Sequence, residues 1–208
     1  MMRQGKILGL CSLFFCIVSC GPSYYSDHFI TGYISHPEIN LVSFPEERLI
    51  VCEFKYNSTQ VINSDNNVAL YEAISEKNMD VSYCRERRHW EGFPVSIFPD
   101  IESVIVTCDG VYDQDHNSNS SLNDIIKIRY SSYENYISSG YKGEECESYS
   151  VLLEDNPDLN LIDATGGSLF VIEFTSNPSD ISASYNIKVL ITYIDGTKIS
   201  RTVEYRIF

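Results

Sequence analysis

Ile187-Lys-Val-Leu-Ile-Thr-Tyr-Ile-Asp-Gly-Thr-Lys-Ile-Ser-Arg-Thr-Val-Glu-Tyr-Arg-Ile207 decides the fold. Ile187, Val189, Ile191 and Tyr193 fall on alternate positions, and so do Ile199, Val203, Tyr205 and Ile207. A period of two is that of a strand with one buried face. Asp195-Gly196 lies between the two runs. A two-residue turn there would set Ile191 opposite Ser200 and mix the apolar face with the polar one. Directly opposed residues must share a face. A three-residue loop, Ile194-Asp195-Gly196, pairs Ile191 with Ile199 and Ile187 with Val203. It also gives Gly196 the left-handed position of a bulge, where glycine has no steric cost. Ser200, Thr202, Glu204 and Arg206 would then face water.

The same alternation recurs upstream. Ile50, Cys52, Phe54 and Tyr56 share one face. So do Val104, Val106 and Cys108, then Ile126, Ile128 and Tyr130, then Phe170, Ile172 and Phe174 after Gly166-Gly167. Val68 to Ile74 reads equally as strand or helical turn, and residues 152–161 read as a short helix or an irregular crossing. Spaced strands, turn clusters and little helix predict an all-β chain built as an antiparallel β-sandwich over residues 45–208.

The start of the chain is different. Arg3 and Lys6 precede an apolar run from Ile7 to Val18, and no acidic residue appears before Asp27. The run has the length of a signal-peptide core and is shorter than the roughly 20 residues a spanning helix needs. Ile17-Val18-Ser19-Cys20-Gly21 then resembles the lipobox of bacterial lipoproteins. Position −3 is Ile17, which suits a lipobox better than an ordinary small-x-small cleavage site. Cys11 and Cys16 follow the bulky Leu10 and Phe15, so Cys20 is the lipidation candidate; an ordinary secretory leader is the alternative. On this reading residues 1–19 are a signal peptide, Cys20 carries the lipid, and residues 20–44 form a tether. Several acyl chains, palmitate among them, would anchor stably where one would not. Gly21, in place of Asp, favours the outer membrane.

The mature chain would hold 189 residues, with 13 basic and 29 acidic, a net charge of −16. That is enough for one domain with a core. The charge argues against nucleic acid or anionic lipid as partner. The cluster Arg85, Arg87, Arg88 is too small to reverse it. Export would place Cys52, Cys84, Cys108 and Cys146 in an oxidising compartment, as candidates for up to two disulfides or as buried thiols. No close cysteine spacing suggests zinc.

Residues for chemistry are few. Asp113, Asp115, Asn117, Asn119 and Asp124 echo the spacing of a calcium loop. Ser118 replaces its turn glycine, Asp124 is short for its bidentate glutamate, and strands flank it, so an ordinary Asx-rich loop is the stronger reading. The histidines, His28, His36, His89 and His116, show no metal-site spacing. There is no nucleophile elbow, no located base for a triad and no phosphate loop. No catalytic residue and no cofactor is expected. Tyr24, Tyr25, Tyr130, Tyr133, Tyr136 and Tyr141, with the single Trp90, could stack on sugars if they converged on one surface; tyrosine as an ordinary strand and rim residue is the stronger reading.

Ile101-Glu-Ser-Val-Ile-Val-Thr, Ser120-Ser-Leu-Asn-Asp124 and Tyr136-Ile-Ser-Ser-Gly-Tyr141, with the lipobox and the terminal hairpin, resemble an uncharacterised family of Bacteroidetes lipoproteins. The resemblance implies an Ig-like β-rich domain, lipid-anchored at the outer membrane or cell surface, with no assigned activity. The functional expectation is a non-enzymatic binding or structural module with a protein or glycan partner. A glycan-binding accessory lipoprotein is the first alternative and a cryptic hydrolase the second.

Overall fold

The structure, a computed structural model, describes residues 23–88 and 93–206. Residues 1–19, read as a signal peptide from sequence, and Cys20, His89, Trp90 and Ile207 lie outside the described residues. In chain order the strands are β1 (Ser23–Ser26), β2 (Gly32–Ser35), β3 (Glu38–Phe44), β4 (Leu49–Lys55) and β5 (Val61–Ile62). Helix α1 (Val68–Lys77) follows, then β6 (Arg85–Arg88), β7 (Val95–Phe98), β8 (Ile101–Cys108) and β9 (Ile126–Ser132). Helix α2 (Glu134–Ser138) precedes β10 (Glu147–Leu152), β11 (Ser168–Phe174), β12 (Tyr185–Tyr193) and β13 (Lys198–Tyr205). The described chain is mostly β.

Two antiparallel sheets supply the main core. One has the order β10-β9-β11-β4-β3 and the other β13-β12-β8. Ile50, Cys52, Phe54, Ile126, Ile128, Phe170, Ile172 and Phe174 from the first meet Val104, Val106, Cys108, Ile187, Val189, Ile191 and Tyr193 from the second in one buried cluster. These are the alternating positions predicted from sequence; Tyr56, beyond the end of β4, is exposed. The terminal hairpin has the expected register, Ile191 opposite Ile199 and Ile187 opposite Val203. Gly196 has φ +85°. Its N–H donates to the Tyr193 carbonyl at 2.8 Å, and Tyr193 N–H donates to Thr197 at 2.9 Å. Arg201 stands on the apolar side of β13, and its Nε donates to the Ile39 carbonyl of β3 at 2.9 Å. That bond ties one sheet's edge to the other's.

The tether expected over residues 20–44 is not what the structure shows. From His28 to Leu41 this stretch is largely built into the protein, through β2 and β3. β2 pairs in parallel with β7 and antiparallel with β5. Its neighbours Tyr33 and Ile34 point to opposite faces: Ile34 enters the main core, while Tyr33 enters a second core with Phe29, Ile30, Ile62, Tyr71, Ile74 and Tyr83. β2 is thus a septum between two cores. A strand covered on both faces shows no clean apolar–polar alternation, so Gly32–Ser35 carries no period-of-two signal in the sequence.

The ambiguous segment at 68–74 is helix α1. Tyr71 and Ile74, three residues apart, are buried on one side of it, the spacing of a helix face. Residues 152–161 form one 3-10 turn, Leu153–Asp155, and then an irregular crossing bridged at Ile101–Leu159.

Candidate functional site

The second core shapes a cleft. At its centre is Asp80, fully buried. Its carboxylate accepts from Phe29 N–H at 2.6 Å, Ile30 N–H at 2.7 Å and the Tyr141 hydroxyl at 3.0 Å. Burial pushes the Asp80 carboxyl up, against the pull of those donors. The Asp80 carbonyl accepts from His28 Nδ1. The other ring nitrogen of His28 lies 3.0 Å from Glu72 Oε2 on α1. Tyr71 packs its ring edge-on to His28, centroids 5.2 Å apart, and donates its hydroxyl to the Ile30 carbonyl at 2.7 Å. Asp80 thereby holds the 29–30 turn through its carboxylate and His28 through its backbone carbonyl, and His28 in turn meets the exposed Glu72.

Above this floor lies a cavity of about 620 Å³. Asp27, His28, Asp65 and Glu72 line it with Tyr25 and Phe93. No lysine or arginine is among the described residues of its wall. Tyr25 is 67% exposed and Phe93 46%. A second cavity of about 490 Å³ shares Phe93 and Val95 with the first and adds Tyr56, Glu145 and Asp163. Asp163 is partly committed: it accepts from Thr165 N–H at 2.8 Å and from the Tyr133 hydroxyl.

Most of these residues were not singled out from sequence. Glu72 and Asp80 lie 44 and 52 residues from the histidine they meet, and no local spacing announces such a pair. The one available signal was Asp27-His28, a charged step just ahead of the apolar run Phe29-Ile30.

The residues that were singled out are distributed differently. In the calcium-loop candidate, His116 is the organiser. Its Nδ1 lies 2.7 Å from Asp113 Oδ1, and its Nε2 lies 2.9 Å from Asp124 Oδ1. Burial alone would lower the His116 pKa, but hydrogen bonds and charge from both aspartates raise it. Asp113, despite some burial, is held below its usual range by the His116 ring and by the N–H groups of Asp115 and His116. The His116 ring thus bridges the two carboxylates at the ends of the loop. Asp115, Asn117 and Asn119 are exposed and do not join them; Asn119 Nδ2 donates instead to Ser118 Oγ at 3.0 Å. Among the described residues no group of three or more His, Cys, Asp and Glu could hold a metal ion. The remaining described histidine, His36, has Nδ1 3.0 Å from Ser35 Oγ and Nε2 2.9 Å from Asp195 Oδ2, pinning the hairpin loop.

All four described cysteines are free, in place of the expected candidate disulfides. Cys52 is buried on β4, opposite Phe170, and Cys108 is buried on β8 of the other sheet, opposite Ile187. Cys84 is exposed near Asp27, at 3.4 Å. Cys146 lines the second cavity.

Four of the six tyrosines pack inside the protein, the stronger of the two readings from sequence. Tyr130, Tyr133, Tyr136 and Tyr141 are buried. Tyr133 and Tyr136 pack edge-on to Phe29, centroids 5.4 and 4.8 Å apart. Of the six, Tyr25 is the one shown to be exposed; the Tyr24 side chain lies outside the described residues. Compared with known protein families, curated proteins and solved structures, the chain matches none.

Proposed function

We propose that the protein is a lipid-anchored, non-enzymatic binding module of the bacterial outer membrane, exported by residues 1–19 and attached through Cys20. The sheet layers and the terminal hairpin support assigning the domain to an immunoglobulin-like sandwich, as the resemblance to Bacteroidetes lipoproteins implies. The observation that carries the anchor is the sequence Ile17-Val18-Ser19-Cys20-Gly21, two residues before β1 begins at Ser23. From Cys20 to Tyr25 an extended chain spans at most about 18 Å. The domain, and the cleft with it, would therefore stand close to the lipid headgroups with no long tether between.

The non-enzymatic reading draws on the histidines. Each described imidazole has both nitrogens within hydrogen-bond distance of a partner that builds the fold. A general base needs a nitrogen directed at the proton it removes. Ser26 and Ser64 line the larger cleft, but His28 is already committed to Asp80 and Glu72. The glycan reading loses the four buried tyrosines and keeps Tyr25.

Replacing Cys20 with Ser tests the anchor. The variant is expected to leave the membrane fraction and to lose labelling by a fatty-acid analogue. A variant that still fractionates with membranes and still takes up label refutes it.

A further inference from the structure

We infer that the β1–β6 ribbon is the side of the domain that seats on the acidic headgroups of the bilayer. This rests on the reading of Cys20 as the lipid anchor and names the surface that the anchored domain turns toward the lipid.

Register places the ribbon at the anchor. β1 begins at Ser23, and β6 pairs with it antiparallel: Ser23 opposite Arg88, Tyr24 opposite Arg87 and Ser26 opposite Arg85. The chain from Cys20 to Ser23 spans at most about 11 Å. A paired strand lies about 4.8 Å further on. The near end of β6 is therefore within about 16 Å of the lipidated residue.

Charge sets the partner. The chain has 29 acidic and 15 basic residues. On β6, by contrast, Arg85, Arg87 and Arg88 outnumber Glu86, and β1 carries no charge. Asp27, one residue past β1, opposes them at the end of the ribbon away from the anchor. Arginine matches phosphate oxygens through its planar fork of donors. This cluster is too small to recruit a chain of such net charge from solution to acidic lipid. An anchored domain needs no recruiting, because the tether already holds it at the surface. The cluster then decides which side faces down. Acidic lipid repels the bulk of the domain and attracts the ribbon, so both forces favour one orientation. Screening acts over about 8 Å in physiological salt. The arginines therefore count when the ribbon turns to the headgroups and little when it turns away.

The ribbon can set the posture of the whole domain because it is stitched to the body. Arg85 Nη1 donates to the Tyr136 hydroxyl at 3.3 Å, and its Nη2 donates to the Tyr141 carbonyl at 3.2 Å. Tyr83 N–H donates to the Asp27 carbonyl at 3.0 Å. Tyr25, within β1, exposes two thirds of its surface, and tyrosine rings gather at headgroup level in membrane interfaces.

Fluorescence quenching on the purified, lipidated full chain tests this. In a Cys146→Ser background, a neutral maleimide dye marks exposed Cys84, one residue before β6. The chain is reconstituted in vesicles of phosphatidylcholine, alone or with a third phosphatidylglycerol. Both hold a trace of lipid with a nitroxide on its headgroup. Quenching should be about two- to fivefold stronger with phosphatidylglycerol, and about 0.5 M salt should remove the difference. Arg87→Gln combined with Arg88→Gln should remove it too, with Tm unchanged. A dye at position 155, after Asp155→Cys and Cys84→Ser, marks an exposed turn and should show no such rise. Equal quenching in the two lipids overturns the inference. So does a rise that survives the double arginine variant, or one matched at position 155. A chain that does not enter the vesicles refutes the anchor, and the inference falls with it. A chain that enters them with Cys84 indifferent to lipid charge refutes the inference alone.

Discussion

Asp80→Ala should be among the most destabilising exchanges in the second core. Asp80 is fully buried, and everything that meets its carboxylate is a donor: Phe29 N–H, Ile30 N–H and the Tyr141 hydroxyl. Alanine leaves those groups without their acceptor. A buried polar group stripped of its partner costs about 1–3 kcal/mol. Two backbone N–H groups and part of a hydroxyl therefore total about 3–5 kcal/mol, with water entering the gap offsetting some. That is a large share of a typical stability of about 5–15 kcal/mol. For a domain of this size it corresponds to a drop in Tm of roughly 10 °C. Asp80→Asn separates the explanations. Its oxygen can keep Phe29 and Tyr141, but its NH2 then confronts Ile30 N–H, donor against donor. Asparagine should recover only part of the loss. Urea denaturation with a fixed m-value, read by far-ultraviolet dichroism, measures both variants. Burial raises the Asp80 pKa, so this group contributes stability below its unfolded pKa of about 3.9 that is lost as pH rises through the folded value. The alanine variant should lack that component. An Asn variant as stable as the wild type, or an Ala variant losing under about 1 kcal/mol, refutes the account of Asp80 as the acceptor of that turn.

Two further expectations follow from the same geometry. His116 has a raised pKa between Asp113 and Asp124, so its stabilisation is complete below about pH 6.5, its unfolded value, and is lost as pH rises through the folded one. Thermal melts across this window should show a decline that His116→Gln flattens, and an unchanged slope in the variant would contradict the bridging of Asp113 and Asp124 by His116. Thiol titration of denatured, unreduced protein should count all four of Cys52, Cys84, Cys108 and Cys146 as free. In the native state Cys84 should react first and Cys146, its pKa pushed up to about 11 chiefly by burial, more slowly. Buried Cys52 and Cys108 should wait for unfolding, and a count of two or fewer would restore a disulfide.

What was legible in the sequence was what alternation can report. β4, β8, β9, β11, β12 and β13 each face the main core on one side and water or a covering segment on the other, so a period of two survives in them. The hairpin register followed from one rule, that opposed residues share a face, and Gly196 adopts the positive φ that rule requires. Arg201 shows the limit of that rule. It stands among apolar positions because its Nε reaches Ile39 on the neighbouring sheet, a partner 162 residues away. The cleft was invisible for the same reason. Asp27, Asp65, Glu72 and Asp80 are ordinary surface types in composition, and only the fold makes one of them a buried hub and the others a wall.

β2 connects these two outcomes. Its Ile34 helps close the main core, and its Tyr33 helps found the second, on which the cleft is built. Tyr33 and Ile34 are adjacent and both buried because both faces are covered, so the strand lacks the signature that marked the others. The same burial gives the site its rigidity: β2 is hydrogen-bonded on both edges, to β5 and β7, and the turn leading into it is held by the Asp80 carboxylate. A mobile tether could display Asp27 and Tyr25 in many arrangements, each at low occupancy. The turn held by Asp80 fixes the backbone just after Asp27, and pairing with β6 places Tyr25. The stretch expected to be a tether is therefore part of what gives the cleft a defined shape.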